Sequence, residues 1–204
     1  MDENSKSPPY FDREEFSHRV LYDPLDLGLA LSTELDFSTM NHKILEIYYR
    51  FWSNGHLHAN GDKCFFTSYF LRRVLRLHGI EAHCKQVISY YTHLEKGWKQ
   101  IIGEPMNVTH NGVVDSHCVV VTKDYILDWS VRDAIHHRYG VRAPIGFIAK
   151  NYGGEDFGKE QDFGEMGLCS WEARRNHRNT NNIIWENREA EIKFTKEYFQ
   201  KYRM

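Results

Sequence analysis

The chain has 204 residues, of which 41% are apolar, 14% aromatic and 26% charged, and its formal net charge is −2. This length and apolar content suit a single domain with one buried core over residues 1–204, and they exclude a largely disordered chain. The small net charge, with both signs mixed along the sequence, excludes a general attraction for nucleic acid or anionic lipid.

The sequence also bears on location in the cell. No apolar run approaches the roughly 20 residues of a membrane-spanning helix. The N-terminal stretch MDENSKSPPYFDREEF is acidic and polar, where a secretory leader is basic and then apolar. We therefore expect a cytoplasmic protein without a membrane partner, with export lacking a cleaved leader as the open alternative.

The N-terminal part of the chain contains an arm and an amphipathic helix. Residues 1–25 combine charges, SPP and aromatic side chains, and we expect them to form a loosely tethered arm. Residues 41–52 read NHKILEIYYRFW, with apolar side chains three and four positions apart, which predicts a helix after an Asn or Thr cap. The predicted buried residues of this helix are Ile44, Ile47, Tyr48 and Phe51.

A second and clearer helix is predicted to begin near Cys64. Its apolar residues form a stripe at helical spacing, and Gly79 follows where a left-handed C-terminal cap is expected. The three arginines of this segment are interpreted as its solvated face, rather than as a nucleic-acid patch. The predicted stripe comprises Phe66, Phe70, Leu71, Val74, Leu75 and Leu77, and the arginines are Arg72, Arg73 and Arg76.

Three strands are predicted after this helix, in IEAHCKQVISYY, SHCVVVTKD and YILDWS, because these segments are rich in β-branched and aromatic residues. The polar residues 92–115 between the first two strands predict a long loop or a ragged hairpin. The glycine-rich, acidic residues 151–167 predict a mobile surface loop, and residues 187–204 resemble a C-terminal helix.

The second and third strands form a predicted hairpin whose register follows from its turn. If Lys123 and Asp124 form a two-residue turn, residues 119 and 128 lie opposite each other, and His117 and Asp128 share one face as diagonal neighbours. Diagonal neighbours are about 7–8 Å apart, within reach for an aspartate to bind an imidazole nitrogen. A three-residue turn would break this relation, and Asp133 would then be the next candidate carboxylate.

Together with Cys64, these two residues fit a catalytic triad. The positive N-terminal end of a helix favours a thiolate, and so does a neighbouring imidazolium held by an aspartate. Each residue alone has an ordinary structural interpretation: a capping-region cysteine, a core histidine and a turn aspartate. Their combination favours Cys64 as nucleophile, His117 as general base and acid, and Asp128 as the residue that orients His117.

The four cysteines, Cys64, Cys84, Cys118 and Cys169, are widely and irregularly spaced, so free thiols are expected. The pairs His83–Cys84 and His117–Cys118 raise the alternative of a zinc site. Neighbours on a strand point to opposite faces, and no CxxC or HxxxH motif supplies two ligands from one element. We therefore expect no metal and no other cofactor.

Two segments resemble a known family. GDKCFFTSYFLRRVLRLHGIEA is similar to the cysteine helix, and SHCVVVTKDYILDWS to the histidine–aspartate hairpin, of the transglutaminase-like superfamily of papain-fold enzymes. That superfamily includes transglutaminases, arylamine N-acetyltransferases, peptide N-glycanases and microbial proteases. The resemblance covers residues 41–134 and implies an α+β, papain-like fold with the Cys64–His117–Asp128 triad. NGDK precedes Cys64 where arylamine N-acetyltransferases have an arginine–glycine–glycine run, so the subfamily stays unassigned.

The function expected from these residues is thiol chemistry on an amide or ester bond of a peptide or protein, by a protease, amidase or glutamine deamidase. The alternatives are an acyltransferase or transglutaminase with the same triad, and a non-catalytic binding module that keeps the fold. The Cys64 backbone N–H is one expected donor to an oxyanion. Weaker candidates for oxyanion or substrate contacts are Asn54, Asn60 and Trp129.

Overall fold

The computed structural model describes residues 28–53, 64–94, 96–103, 117–131 and 144–173, and residues 192, 193, 196, 197 and 200 near the C-terminus. The fold is mixed α+β: these residues form one eight-stranded sheet, covered on one face by helices. Neither of the two helices bounded in this part of the chain is long and apolar enough to cross a membrane. The predicted arm, residues 1–25, lies outside the described residues.

The secondary structure follows the chain in this order. The helices are α1 (His42–Ser53) and α2 (Cys64–Leu77). The strands are β1 (Leu29–Leu31), β2 (His83–His93), β3 (Trp98–Ile102), β4 (His117–Val121), β5 (Tyr125–Asp128), β6 (Gly146–Lys150), β7 (Gln161–Asp162) and β8 (Leu168–Ala173). Short 3-10 turns span Gly154–Asp156 and Gly164–Met166. The described residues 192, 193, 196, 197 and 200 are helical, as predicted for the C-terminal segment.

Helix α1 confirms the predicted amphipathic pattern. Its four predicted core residues are all buried. The side-chain oxygen of Asn41 accepts a hydrogen bond from the backbone N–H of Lys43 at 2.9 Å, so Asn41 caps the helix.

Helix α2 begins at Cys64, and its predicted stripe is buried except for one residue. Leu77 is 57% exposed, so its predicted place in the core is wrong. The cause is the end of the helix: Gly79 has a φ of +78°, and the N–H of Ile80 donates to the carbonyl of Leu75 at 3.0 Å. This turn brings Ile80, rather than Leu77, against the core.

The sheet is organised around the long strand β2. In the strand order β1-β6-β5-β4-β2-β8-β7, β2 pairs antiparallel with β4 on one side and β8 on the other. Strand β3 also pairs with β2, through residues 89–93, so the first part of residues 92–115 forms the hairpin that was one of the two predicted alternatives. The sheet uses residues 29–31 and 146–173 as well as the segment covered by the family resemblance.

The sheet curls until its two ends meet. The backbone N–H of Thr33, after β1, donates to the carbonyl of Asp162 in β7 at 2.8 Å. The prediction of a surface loop over residues 151–167 is therefore wrong in part, because Gln161, Phe163 and Met166 are buried there. Apolar side chains from β2, β4, β5, β6 and β8 fill the inner face, and α1 and α2 cover the outer face.

Candidate active site

The β4–β5 hairpin has the predicted two-residue turn. Val120 pairs with Leu127 and Val121 with Ile126, and the N–H of Thr122 donates to the carbonyl of Tyr125 at 2.9 Å. In this register the side chains of His117 and Asp128 lie on the same face of the hairpin. The predicted register is confirmed.

His117 and Asp128 form a buried hydrogen-bonded pair inside the curled sheet. The carboxylate accepts from Nε2 of His117, at 2.9 Å to Oδ1 and 2.8 Å to Oδ2. His117 is 1% exposed and Asp128 is fully buried. The aspartate thus fixes the ring tautomer with the proton on Nε2, and Nδ1 is left for another partner.

Cys64 is a further partner of the His117 imidazole. One turn into α2, the hydroxyl of Ser68 donates to the backbone carbonyl of Cys118 at 2.6 Å, which anchors this helix on β4 next to His117. Residues four apart share a helix face, so Cys64 lies on the same side as Ser68. The side chains of Cys64 and His117 form a hydrogen bond. The three predicted triad residues are therefore together.

The electrostatics of the site favour a protonated His117. Burial lowers the pKa of His117, but the negative charge and hydrogen bond of Asp128, with a smaller contribution from Cys64, outweigh burial and raise it to about 10. A histidine with this pKa is an imidazolium at neutral pH. The arrangement can therefore hold a thiolate beside an imidazolium.

Asp128 has further partners that the sequence reasoning missed. The indole N–H of Trp171 in β8 donates to Oδ2 at 2.9 Å, and the hydroxyl of Ser89 in β2 lies 3.5 Å from the same oxygen. Cys169 and Trp171 alternate with polar residues, a pattern typical of a strand with one buried face. That pattern is a usable signal for β8, although it does not specify which strand β8 joins.

The weaker candidates lie elsewhere. Asn54 and Asn60, and the fallback carboxylate Asp133, are outside the described residues. Trp129 is on the opposite face of the hairpin from Asp128 and packs edge-on against the rings of Tyr48 and Phe51 at 4.9 and 5.7 Å. Its side chain is 2% exposed and belongs to the core under α1.

The other thiols have different surroundings. A hydrogen bond with Cys84, together with burial, raises the pKa of Cys118 well above its usual range, and burial does the same for Cys169. The side chains of His117 and Cys118 have different partners, Asp128 for His117 and Cys84 and Ser68 for Cys118, as expected for strand neighbours that point to opposite faces. Within the described ranges, no three His, Cys, Asp or Glu side chains are placed to bind a metal ion.

A surface cleft of about 510 Å³ lies between β2, β8 and residues 154–159. Trp171 borders it, but Cys64, His117 and Asp128 do not. We locate the candidate site by the hydrogen-bonded triad, because reactive groups rather than concavity determine where chemistry can occur.

Comparison with known proteins does not identify a family. No protein-family model matches the chain, and no curated protein matches it. A crystal structure of a genomics target aligns with 93% of this chain and 82% of its own, with 12% identity and a TM-score of 0.41.

Proposed function

We propose that the protein is a cysteine hydrolase of the transglutaminase-like, papain-fold type, which cleaves an amide or ester bond through Cys64, His117 and Asp128. The observation that carries this proposal is the buried His117–Asp128 hydrogen bond, together with the hydrogen bond between His117 and Cys64 at a helix N-terminus. A nucleophile, a base in contact with it and a third group orienting that base are the parts required for nucleophilic catalysis.

In the proposed mechanism, the Cys64 thiolate attacks the carbonyl carbon of the substrate and forms a tetrahedral oxyanion. The backbone N–H of Cys64, at the start of α2, is a suitable donor to that oxyanion. The intermediate collapses to a thioester as the His117 imidazolium protonates the leaving amine or alcohol. His117 then takes a proton from water, the resulting hydroxide attacks the thioester, and the acid and the Cys64 thiolate are released.

Selective alkylation tests the nucleophile. Treatment with iodoacetamide near pH 6, followed by peptide mapping, should modify Cys64 much faster than Cys84, Cys118 or Cys169. The reason is that only Cys64 combines a helix N-terminus with a histidine partner, whereas the pKa values of Cys118 and Cys169 are raised. Equal rates for the four thiols, or faster modification of Cys118, would refute the assignment.

Turnover of an activated ester separates an enzyme from a binding module. With p-nitrophenyl acetate, the wild-type protein should release a burst of p-nitrophenol and carry one acetyl group on Cys64. Cys64→Ala should abolish both while changing the melting temperature little, because Cys64 is only partly buried. Loss of the fold in Cys64→Ala, or equal turnover by both proteins, would contradict the proposal.

The fate of the acyl group separates hydrolysis from transfer. We expect release to water, which needs no dedicated acceptor site. Added methylamine competes with water for the acetylated enzyme, and mass spectrometry of the products gives the ratio. Preferential formation of N-methylacetamide would instead assign the protein to the acyltransferases.

A further inference from the structure

Asp128 is a buried carboxylate with two strong hydrogen bonds from different parts of the chain. His117 supplies one, and the indole N–H of Trp171 supplies the other at 2.9 Å. The hydroxyl of Ser89, at 3.5 Å, is beyond the usual O–H···O range. A fully buried carboxylate requires such donors, because a buried charge without partners is strongly destabilising.

The bond to His117 does not by itself fix the site. His117 and Asp128 orient each other, so a third residue, itself fixed by its own packing, is needed to hold the pair in place. Trp171 is fixed in this way. It pairs with Ser89 across β2 and β8, and its backbone N–H donates to the carbonyl of Gly158 at 2.8 Å. Its indole is 1% exposed and packs edge-on against Phe163, with ring centroids 6.3 Å apart.

We propose that Trp171 is a positioning residue for the candidate site: its indole N–H holds the Asp128 carboxylate in the plane in which both oxygens face His117. The relevance of Trp171 to catalysis rests on the proposed function, whereas its hydrogen bond to Asp128 is independent of that function. The competing explanation is that Trp171 is only a large core residue and that its hydrogen bond has no effect on His117.

Nuclear magnetic resonance of the wild-type chain tests the hydrogen bond directly. The indole N–H signal of Trp171 should exchange slowly with deuterium and should shift with pH in the same transition as the ring nitrogens of His117. Trp129 provides a control in the same spectrum, because it is also buried and its Nε1 has no hydrogen-bond partner in the described part of the chain. A Trp171 signal that does not follow the His117 transition would refute the proposal.

Substitution tests the positioning effect. In a Cys64→Ala background, where no covalent chemistry occurs, Trp171→Phe should move the Nε2–H proton signal of His117 upfield and lower the pKa of His117. The matched control is Tyr91→Phe, which removes another buried aromatic donor on β2, whose hydroxyl donates to the backbone carbonyl of Met166. A folded Trp171→Phe protein with an unchanged or raised His117 pKa would overturn the proposal.

Alkylation in the presence of Cys64 separates this inference from the proposed function. Trp171→Phe should slow iodoacetamide modification of Cys64 near pH 6 by roughly tenfold or more, the effect of losing one hydrogen bond to a charged group, and Tyr91→Phe should not. If Trp171→Phe shifts the His117 signal but does not slow alkylation, the positioning role of Trp171 is supported. The proposal that His117 activates Cys64 is then contradicted. If Cys64 is alkylated selectively, and Trp171→Phe changes neither the alkylation rate nor the His117 signal, the positioning role of Trp171 is contradicted. The proposed function would then stand.

Discussion

At the scale of single residues, the candidate site depends on the hydrogen bonds that stabilise the buried carboxylate of Asp128. Asp128 accepts hydrogen bonds from His117 and Trp171 and has no exposure to solvent. Breaking such a pair is costly because it leaves a buried group without its partner. The properties of His117 and of Cys64 should therefore respond to changes at Asp128 more than to changes at any exposed carboxylate.

Asp128→Asn should lower the rate of ester turnover by about a thousandfold or more, with the fold retained. An asparagine at this position donates its amide N–H₂ to an unprotonated Nε2 of His117, which favours the tautomer with the proton on Nδ1, and it no longer stabilises the imidazolium. Alkylation of Cys64 as a function of pH should shift to higher pH in the variant. Asp124→Asn, in the exposed turn of the same hairpin, is the control and should change neither quantity. An unchanged alkylation profile in Asp128→Asn would remove Asp128 from the triad.

The raised pKa of His117 also predicts how stability depends on pH. The folded protein keeps the His117 proton up to about pH 10, while an unfolded chain loses it near the ordinary value of 6.5. The stabilisation is thus complete below pH 6.5 and is lost as the pH rises toward 10. In Cys64→Ala, where no Cys64 thiolate can take up a proton on unfolding and cancel this effect, the free energy of unfolding should fall with pH between about pH 7 and about pH 8, by at most about 1.4 kcal/mol per pH unit.

Urea unfolding at several pH values in this interval measures the slope. The interval lies above the titration of ordinary histidines and below that of ordinary thiols, so other groups contribute little. Cys64→Ala/His117→Gln should be less stable than Cys64→Ala and should lack the slope. A free energy of unfolding of Cys64→Ala that rises with pH in this interval would contradict the charged state assigned to His117.

At the scale of secondary-structure elements, the junction between β3 and β4 determines where His117 lies. Both strands pair with the same side of β2, β3 through residues 89–93 and β4 through residues 83–87. Gly103, directly after β3, has a φ of +85° and abuts the first residue of β4. The end of one strand thus limits the position of His117 on the next.

Gly103→Ala should displace His117. The added Cβ would lie 2.7 Å from both the Cβ and the backbone nitrogen of His117, and 2.8 Å from the carbonyl oxygen of Val87. We expect a lower melting temperature and slower alkylation of Cys64. Gly97→Ala is a matched control, because Gly97 also has a positive φ, +62°, but its added Cβ meets no atom within 4 Å.

Both alanine variants carry a cost of about 1–2 kcal/mol for the left-handed backbone. Only Gly103→Ala should also lower the reactivity of Cys64. If the two variants lost stability and reactivity equally, the contact between Gly103 and His117 would have no influence on the site.

At the scale of the whole molecule, the curled sheet connects the site to the late part of the chain. The side chain of Gln161 in β7 bridges to β6: its Oε1 accepts from the Lys150 N–H at 2.9 Å, and its Nε2 donates to the Lys150 carbonyl at 2.8 Å. Gln161 is 1% exposed, so these bonds are shielded from water. Strand β8, which carries Trp171, lies between β2 and β7 in this closed sheet.

Gln161→Ala should destabilise the protein by about 1–3 kcal/mol, because the backbone N–H and carbonyl of Lys150 each lose a hydrogen bond. Glu160→Ala, at an exposed neighbouring position, is the control and should have little effect. In urea, circular dichroism and the loss of selective Cys64 alkylation should show one shared midpoint, which moves to lower urea in Gln161→Ala. Separate midpoints would mean that the site and the closed sheet are independent units.

The sequence by itself determined the local elements and the face shared by two of the site residues. The three- and four-residue spacing predicted α1 and α2, and the two-residue turn at Lys123 and Asp124 placed His117 and Asp128 on one side of their hairpin. These inferences succeed because helix periodicity, capping and hairpin register depend on residues close together in the chain.

Only the tertiary structure decided which distant segments meet. An alternating pattern marks Leu168–Ala173 as a strand, but any open sheet edge offers the same backbone partners, so the pattern does not place β8 beside β2. Its placement brings Trp171 to Asp128 across 43 residues of sequence. The inward packing of Trp129 has the same origin, because the burial of a side chain depends on what the rest of the chain packs against it.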